Sequence, residues 1–157
     1  MRKIRVFLAS SIGELKLDRL AISEMTLELN NTLIDDGIRL QLFMCEHFDT
    51  AIAAAGKQNE YNAFIRQPCD LFINLYYRKL GEYTLEEYHL AIEIKKRFGL
   101  PQVNVFVKDE ENPASSALEV FLGQAASEGA LISHYTSLEA LTELYQKTIA
   151  AFIRDNP

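Results

Sequence analysis

The sequence predicts an α/β fold: a flavodoxin-like, three-layer α/β/α arrangement around a five-stranded parallel sheet in the strand order 2-1-3-4-5. Short runs rich in β-branched and aromatic residues alternate with segments of helical period, which is typical of βαβ units. The near-continuous apolar character of the first and third runs indicates that both faces of the sheet are covered. The predicted strands are residues 3–9, 38–44, 70–77, 102–107 and 130–135.

Two helices are indicated most clearly, by apolar residues at helical spacing. The stripe on the first helix consists of Leu15, Ile22, Met25, Leu29 and Leu33. The stripe on the last helix consists of Leu138, Leu141, Tyr145, Ile149 and Phe152. Each set forms one continuous helix face, so we expect both to pack against the sheet.

The first helix also carries a second set of apolar residues that lies off its main face. This set, which we call the outer stripe, consists of Leu17, Leu20, Leu27 and Ile34. Two interpretations stay open at this point. The helix is buried more deeply than usual, or the outer stripe is an exposed surface for association with another copy or a partner.

Glycine and proline mark the ends of the predicted elements. Gly37 is expected to end the first helix, and Gly99 with Pro101 the helix before the fourth strand. Asn112–Pro113 is expected to open the next helix. Residues 45–58 form the longest irregular segment, and their Ala and Gly content predicts the most mobile part between the first and fourth strands.

Length, charge and cysteine content restrict the class of protein. All 157 residues are assigned to one domain, 1–157, whose helical end is typical of a boundary within a longer protein. A net charge of −6 repels phosphate backbones and anionic lipid, so we expect no nucleic-acid and no membrane partner. Cys45 and Cys69 form no CxxC pair, which with the missing signal-peptide pattern predicts a reducing, cytoplasmic location and core thiols.

The candidate site follows from the predicted strand order. Ligands of open parallel sheets bind beyond the carboxyl ends of the strands where the order reverses, here between the first and third strands. Ser10 and Ser11 follow the first strand, Glu46 follows the second, and Tyr77 and Arg78 follow the third. No glycine-rich phosphate fingerprint is present, so a tightly cradled ATP is not expected.

The segment after the third strand carries a further signal. Thr84 and Glu87 have the spacing of a capping box, which predicts that the helix begins at Thr84 with Glu87 at its third position. In one interpretation Glu87 only bonds back to the Thr84 amide and stabilises the helix start by about 1 kcal/mol. In the other it faces the crevice and stabilises the positive charge that develops when an N-glycosidic bond to ribose breaks.

Other chemistries find less support in the sequence. His47 lies beside Cys45 and Glu46, but no second spaced His or Cys group accompanies them, so no metal site is predicted. No G-x-S-x-G elbow occurs, which disfavours a serine hydrolase. Ser10 and Ser11 are equally suited to cap the following helix and to contact an anion.

Several segments together resemble a known family. They are "RVFLASSIGELKLDR", "MCEHF", "CDLFINLYYRKLGEYTLEEYHLAI" and "QVNVFVK", which cover roughly residues 3–108. This pattern is similar to the Toll/interleukin-1 receptor-like (TIR-like) domains found at the N-termini of multidomain NTPase and repeat proteins. The most specific parts are "FLASS" with its following Leu15 and Arg19, and the helix that contains Glu87 and Ala91.

The resemblance implies a function. Enzymatic members of the wider group cleave NAD at the bond between nicotinamide and ribose in immune, antiphage or cell-death signalling. They use a glutamate on the helix after the third strand, which Glu87 matches best, with Glu86 as the alternative. The ligand would be surrounded by Ser10, Ser11 and the 45–58 loop, with Tyr77 or Tyr83 packed on a ring. NAD is then a substrate, no other cofactor is implied, and activation involves a homo-oligomer.

Two departures from the family pattern keep other functions open. The loop between Ser11 and Glu14 is one residue shorter than usual, and Tyr76–Tyr77 replaces a more open turn. Both changes narrow the expected pocket. A non-catalytic module for self-association or partner docking is therefore the second hypothesis, and an enzyme similar to nucleoside deoxyribosyltransferases the third.

Overall fold

Strands and helices alternate along the chain in the computed structural model. It describes residues 1–10, 14–44, 69–77, 82–109 and 116–157, with the side chains of 82–84 excepted. The strands in these ranges are β1 (Arg2–Ser10), β2 (Ile38–Met44), β3 (Leu71–Tyr77), β4 (Gln102–Lys108) and β5 (Leu131–Tyr135). The helices are α1 (Lys16–Leu33), α2 (Glu82–Phe98), α3 (Ser116–Ser127) and α4 (Leu138–Asp155), with a 3₁₀ turn at Ile34–Asp36.

The five strands form one parallel sheet in the order β2-β1-β3-β4-β5. This confirms the predicted fold class and strand order. Strand β2 has the predicted bounds, β1 is one residue longer than predicted at each end, and β3, β4 and β5 each differ by one residue at one end. The order reverses between β1 and β3, where Ser10 is in register with Leu75.

One face of the sheet packs against α1 and α4. Alternate strand residues such as Ile4, Val6 and Ile73 point to this face, because successive side chains of a strand point to opposite sides. Leu15 and Ile22 reach them from α1, together with Leu141, Tyr145, Ile149 and Phe152 from α4. We call this side the α1/α4 face.

The opposite face packs against α2 and α3, and we call it the α2/α3 face. Phe7, Phe72 and Val105 point to it from the sheet. Tyr88, Ala91 and Ile92 of α2 and Leu118, Phe121 and Ala125 of α3 cover them. Strands covered on both sides are apolar along most of their length, which accounts for the nearly continuous apolar runs in the sequence.

The main helical stripes pack as expected, with one exception. Leu15 and Ile22 are fully buried, while Met25, Leu29 and Leu33 are partly buried against the same cluster. Leu138 is 39% exposed. It is the first residue of α4, directly after the N-cap Ser137, so the helix end carries it to the edge of the apolar face.

The outer stripe of α1 is exposed. Leu17, Leu20, Leu27 and Ile34 have 64%, 52%, 66% and 57% of their surface open to solvent. Of the two interpretations left open by the sequence, deeper burial is therefore wrong. An exposed apolar row is what an association surface requires.

The prediction for Gly99 is confirmed, whereas α1 ends at Leu33 and Gly37 closes the 3₁₀ turn that follows it. Gly37 has a φ of 72° and follows the 3₁₀ turn, and Gly99 has a φ of 80° at the end of α2. These left-handed conformations favour glycine because it has no Cβ. The predictions for Asn112–Pro113 and for residues 45–58 fall outside the described residues.

The predicted start of α2 is wrong. The helix begins at Glu82, so Thr84 lies inside the first turn and Glu87 is the sixth helical residue rather than the third. Neither Gly nor Pro separates Glu82 from Thr84, so nothing in the sequence stops the helix from extending toward its N-terminus. A carboxylate is also favourable at the positive end of the helix dipole, which supports a start at Glu82.

Burial of β3 on both faces gives a test of this core. Ile73 is 0% exposed in the middle of the sheet, so Ile73→Ala leaves a cavity that the neighbouring strands cannot close. We expect a loss of about 2–5 kcal/mol in the free energy of unfolding, measured by urea denaturation. The matched control is Val120→Ala on the surface of α3, where Val120 is 73% exposed. It should change stability by less than about 0.5 kcal/mol, and equal losses in the two variants would refute this core assignment.

Candidate site at the carboxyl ends of the strands

The carboxyl ends of β1, β3, β4 and β5 bring polar side chains to one edge of the sheet. Ser10 ends β1, Tyr77 ends β3, Lys108 ends β4 and Tyr135 ends β5. Tyr77 and Lys108 are in register with each other, as are Lys108 and Tyr135. This is the edge at which open parallel sheets bind ligands.

Ser10 points to the α1/α4 face. Ile4, Val6 and Leu8 of β1 belong to that face, and Ser10 continues the same alternation. Its Oγ is buried and has no hydrogen-bond partner among the described residues. A buried hydroxyl that is left without any partner costs about 1–3 kcal/mol.

Glu87 belongs to the opposite face. It is only 4% exposed on α2, and the next residue, Tyr88, packs in the α2/α3 cluster. Burial, the neighbouring Tyr88 and the Glu87 carboxylate all raise the pKa of Tyr76, although a hydrogen bond from Asn74 opposes the shift. Glu87 is therefore a buried carboxylate whose charge acts on the Tyr76 hydroxyl, whereas Glu86 is exposed.

Tyr76 is held in place by its neighbours on that face. Its ring lies edge-on to Phe121 at 4.9 Å, and Phe121 in turn contacts the ring of Tyr88 at 4.8 Å. Asn74 Nδ2 donates to the Tyr76 hydroxyl at 3.2 Å, while Asn74 Oδ1 is buried without a partner in the described residues. Tyr76, on the face that α2 covers, is thus fixed by aromatic contacts and one polar pair.

A second charged group on the α1/α4 face was not anticipated from the sequence. Asp18, in the first turn of α1, is 1% exposed. Its Oδ1 accepts from Lys108 Nζ at 3.2 Å, and its Oδ2 accepts from the Tyr135 hydroxyl at 2.7 Å. Burial and the hydrogen bond to Asp18 raise the pKa of Tyr135, so that its hydroxyl stays protonated.

Lys108 connects this carboxylate to Tyr77. Its ammonium lies 5.4 Å from the centre of the Tyr77 ring, within the range of a cation–π contact. An ammonium has three donors and Asp18 accepts one, so Lys108 keeps donor capacity for an anion. Tyr77, one of the predicted substrate-binding residues, is partly exposed beside it.

The sequence carries a signal for Asp18. Asp18 lies three residues after Leu15 and four before Ile22, on the buried stripe of α1. A charged residue at a core position needs partners, and the carboxyl ends of the strands are where α1 begins. Lys108 and Tyr135 could not be chosen as those partners without the positions of β4 and β5.

The remaining predicted site residues stay predictions. Ser11, Glu46 and Arg78 fall outside the described residues, as do Cys45 and His47. Tyr83 lies in the first turn of α2, where its side chain is not described. Within the described ranges no group of three or more His, Cys, Asp and Glu side chains could hold a metal ion, and no described helix has the length and apolar character needed to cross a bilayer.

Comparisons with known proteins add little to this geometry. No family profile and no curated protein sequence matches the chain. Among solved structures, the chain is similar to a fragment of a candidate lipoprotein from Peptoclostridium difficile 630, with 12% sequence identity and a TM-score of 0.49. The alignment covers 98% of this chain and 99% of that fragment.

Cys69 has the properties of a core thiol. It is 3% exposed, and its Sγ donates to the Leu71 carbonyl at 3.4 Å. Burial raises the pKa of Cys69 to about 12 from its ordinary value of 9.0. A thiol that stays protonated at neutral pH is a poor nucleophile, because only the thiolate attacks.

Alkylation tests the burial of this thiol. In a Cys45→Ser background Cys69 is the remaining cysteine, since the chain contains two. At about pH 8 we expect iodoacetamide to modify the folded protein about a thousandfold more slowly than the urea-unfolded chain, because the pKa rises by three units. Mass spectrometry gives both rates, and similar rates would show that Cys69 is accessible.

Proposed function

We propose that this chain is a TIR-like effector domain that cleaves NAD at the nicotinamide–ribose bond, with Glu87 as the catalytic residue. The observation that carries the proposal is the position of Glu87. It is a carboxylate removed from bulk water, on the helix that follows β3 at the reversal of strand order. Charge in such surroundings interacts strongly with a developing positive charge.

The reaction needs little from the protein beyond placement and charge. The C1′–N bond of the ribose breaks, and its electron pair leaves with nicotinamide, which becomes neutral. The sugar becomes an oxocarbenium ion, which the Glu87 carboxylate stabilises. Water then adds to C1′ and releases a proton. No metal is required by this chemistry, because nicotinamide is a cationic leaving group.

Residues at the sheet edge supply candidate contacts for the rest of the substrate. The Ser10 hydroxyl, at the end of β1, is a donor for which the described residues supply no partner, and Lys108 is a cation at the end of β4. Both suit a diphosphate or ribose, together with Ser11, Glu46 and Arg78. The Tyr77 ring, or that of Tyr83, suits stacking on a base.

Ser10 points to the α1/α4 face, whereas Glu87 lies on α2, which covers the opposite face, and this limits how the substrate can lie. A ligand that contacts both must cross the edge at the ends of β1 and β3. Glu87 is 4% exposed, so a ribose reaches it only after movement near the start of α2. This requirement agrees with a site that is completed on assembly rather than one that is open in the monomer.

A second function is favoured by a separate observation. The outer stripe of α1 is exposed along its length, as a module for self-association requires. In this alternative Glu87 is a structural carboxylate. The domain then works by bringing copies or fused partners together, without chemistry of its own.

Glu87→Gln distinguishes the two functions. Glutamine keeps the size of the side chain and removes its charge, so the fold should survive. If the charge stabilises an oxocarbenium ion, the barrier rises by about 3–4 kcal/mol and NAD cleavage falls by two to three powers of ten. Nicotinamide release is measured by chromatography at high protein concentration, with thermal unfolding recorded for each variant.

Glu86→Gln is the matched control, because Glu86 is the adjacent carboxylate and is exposed. It should retain most of the activity. Equal activity of the wild type and Glu87→Gln would exclude Glu87 as the catalytic residue. Absence of cleavage by the wild type, in a sample shown to be assembled, would leave the non-catalytic module as the better account.

A further inference from the structure

Asn74 is a buried amide among apolar residues of the sheet. It is 0% exposed in the middle of β3, and in the register of the sheet it lies between Ala9 of β1 and Val105 of β4. Both neighbours belong to the apolar cluster on the α2/α3 face, as do Phe72 and Tyr76, two residues before and after Asn74 along the strand. Burying an amide in such surroundings is costly unless its polar atoms are bonded, so the bonding of Asn74 bears on its role.

The contact between Asn74 and Tyr76 gives the pair one donor and one acceptor to offer a ligand. Asn74 Nδ2 donates to the Tyr76 hydroxyl oxygen at 3.2 Å, so the hydroxyl hydrogen is directed elsewhere. The described part of the chain supplies no partner for Asn74 Oδ1. If the amide is turned over, the hydroxyl donates to Oδ1, and Nδ2 and the hydroxyl oxygen become the donor and the acceptor. A donor beside an acceptor is therefore a property of the pair in both orientations of the amide.

Tyr76 stays a hydrogen-bonding hydroxyl rather than an anion at neutral pH. Burial raises the pKa of this hydroxyl above its ordinary value of 10.0. The neighbouring Tyr88 and the charge of Glu87 raise the pKa further, whereas the hydrogen bond from Asn74 lowers it. The ring is held edge-on against Phe121 at 4.9 Å, which fixes the position of the hydroxyl beside the Asn74 amide.

A primary carboxamide is the ligand group that matches this pair. It carries an N–H donor and a carbonyl acceptor side by side, so it forms one hydrogen bond with the acceptor of the pair and one with the donor. A carboxylate has acceptor oxygens but no N–H, so it leaves the acceptor of the pair unbonded, and the negative charge of Glu87 acts against it on the same face. The aromatic rings of Tyr76, Tyr88 and Phe121 suit a flat ring that carries the carboxamide.

We infer that Asn74 and Tyr76 are specificity-determining residues that bind the carboxamide of the nicotinamide leaving group. The inference rests on the proposed cleavage of NAD. In that substrate the pyridine ring separates ribose C1′ from the carboxamide, so the ribose contacts Glu87 while the carboxamide contacts the Asn74–Tyr76 pair. All three residues are enclosed, so the movement near the start of α2 that admits the ribose also admits the ring. A dinucleotide that carries nicotinic acid in place of nicotinamide is then a poor substrate.

Free nicotinamide and nicotinate, used as probes, separate this inference from the proposed enzyme. Selective binding of nicotinamide by a protein that does not cleave NAD would contradict only the proposed enzyme. Cleavage of NAD and of nicotinic acid adenine dinucleotide with equal efficiency would contradict only the carboxamide contact. The two failures are thus distinguishable in the same preparations.

Titration of the concentrated protein with each probe, followed by ligand-observed NMR, measures the preference directly. The wild type should bind nicotinamide about tenfold or more tightly than nicotinate. Asn74→Leu should abolish this preference, because it removes the amide and keeps a side chain of similar size. The matched control is Asn104→Leu on β4, and it should keep the preference. Asn104 is also buried, but it lies in register with Ile73 on the α1/α4 face, and its Oδ1 accepts from Gln102 Nε2 at 2.9 Å.

The ratio of kcat/KM for NAD to that for nicotinic acid adenine dinucleotide gives a second readout. Tyr76→Phe keeps the ring and removes the hydroxyl, so it should lower this ratio several-fold and weaken the preference for free nicotinamide. A merely structural role would change overall activity or thermal unfolding and leave the ratio as it is in the wild type. A wild type that binds neither probe or both alike, a loss of preference in Asn104→Leu, or an unchanged preference in Asn74→Leu and Tyr76→Phe would each overturn the inference. Tyr76→Phe keeps the test decisive if Asn74→Leu fails to fold.

Discussion

Burial of β3 on both faces is the constraint on which the rest of the structure depends. Residues Leu71–Tyr76 are covered from both sides, by α1 and α4 on one and by α2 and α3 on the other. A fully covered strand offers no side chain to a ligand until it ends. Function at this sheet is therefore confined to the strand ends, where Tyr77 is the first residue of β3 with partial exposure. The residue at which each strand ends therefore determines which side chains can contact a ligand at this edge.

Because β3 is buried on both faces, the free-energy cost of burying each polar group in this core affects the stability of the fold. Asp18 is tolerated because both of its oxygens have partners, Lys108 and Tyr135. Removing one partner of a buried charge destabilises a protein by more than the ion pair stabilises it. The contacts of Asp18 therefore hold the start of α1 against the ends of β4 and β5. Ser10 Oγ and Asn74 Oδ1 are the contrasting cases, since neither has a partner among the described residues. They lie on opposite faces, beside the reversal of strand order.

The fold was predictable because its signals are local and repeated. Five apolar runs and the alternating helical segments determine the strands, and the handedness of βαβ crossovers then leaves few possible orders. The outer stripe was also visible in the sequence, but its exposure was not, because helical spacing does not say which of two apolar faces meets the sheet. The start of α2 was placed too late, because the Thr84–Glu87 spacing resembles a capping box that the chain does not use as a helix start. The partners of Asp18 come from strands 90 and 117 residues further along the chain and leave no pattern in the sequence.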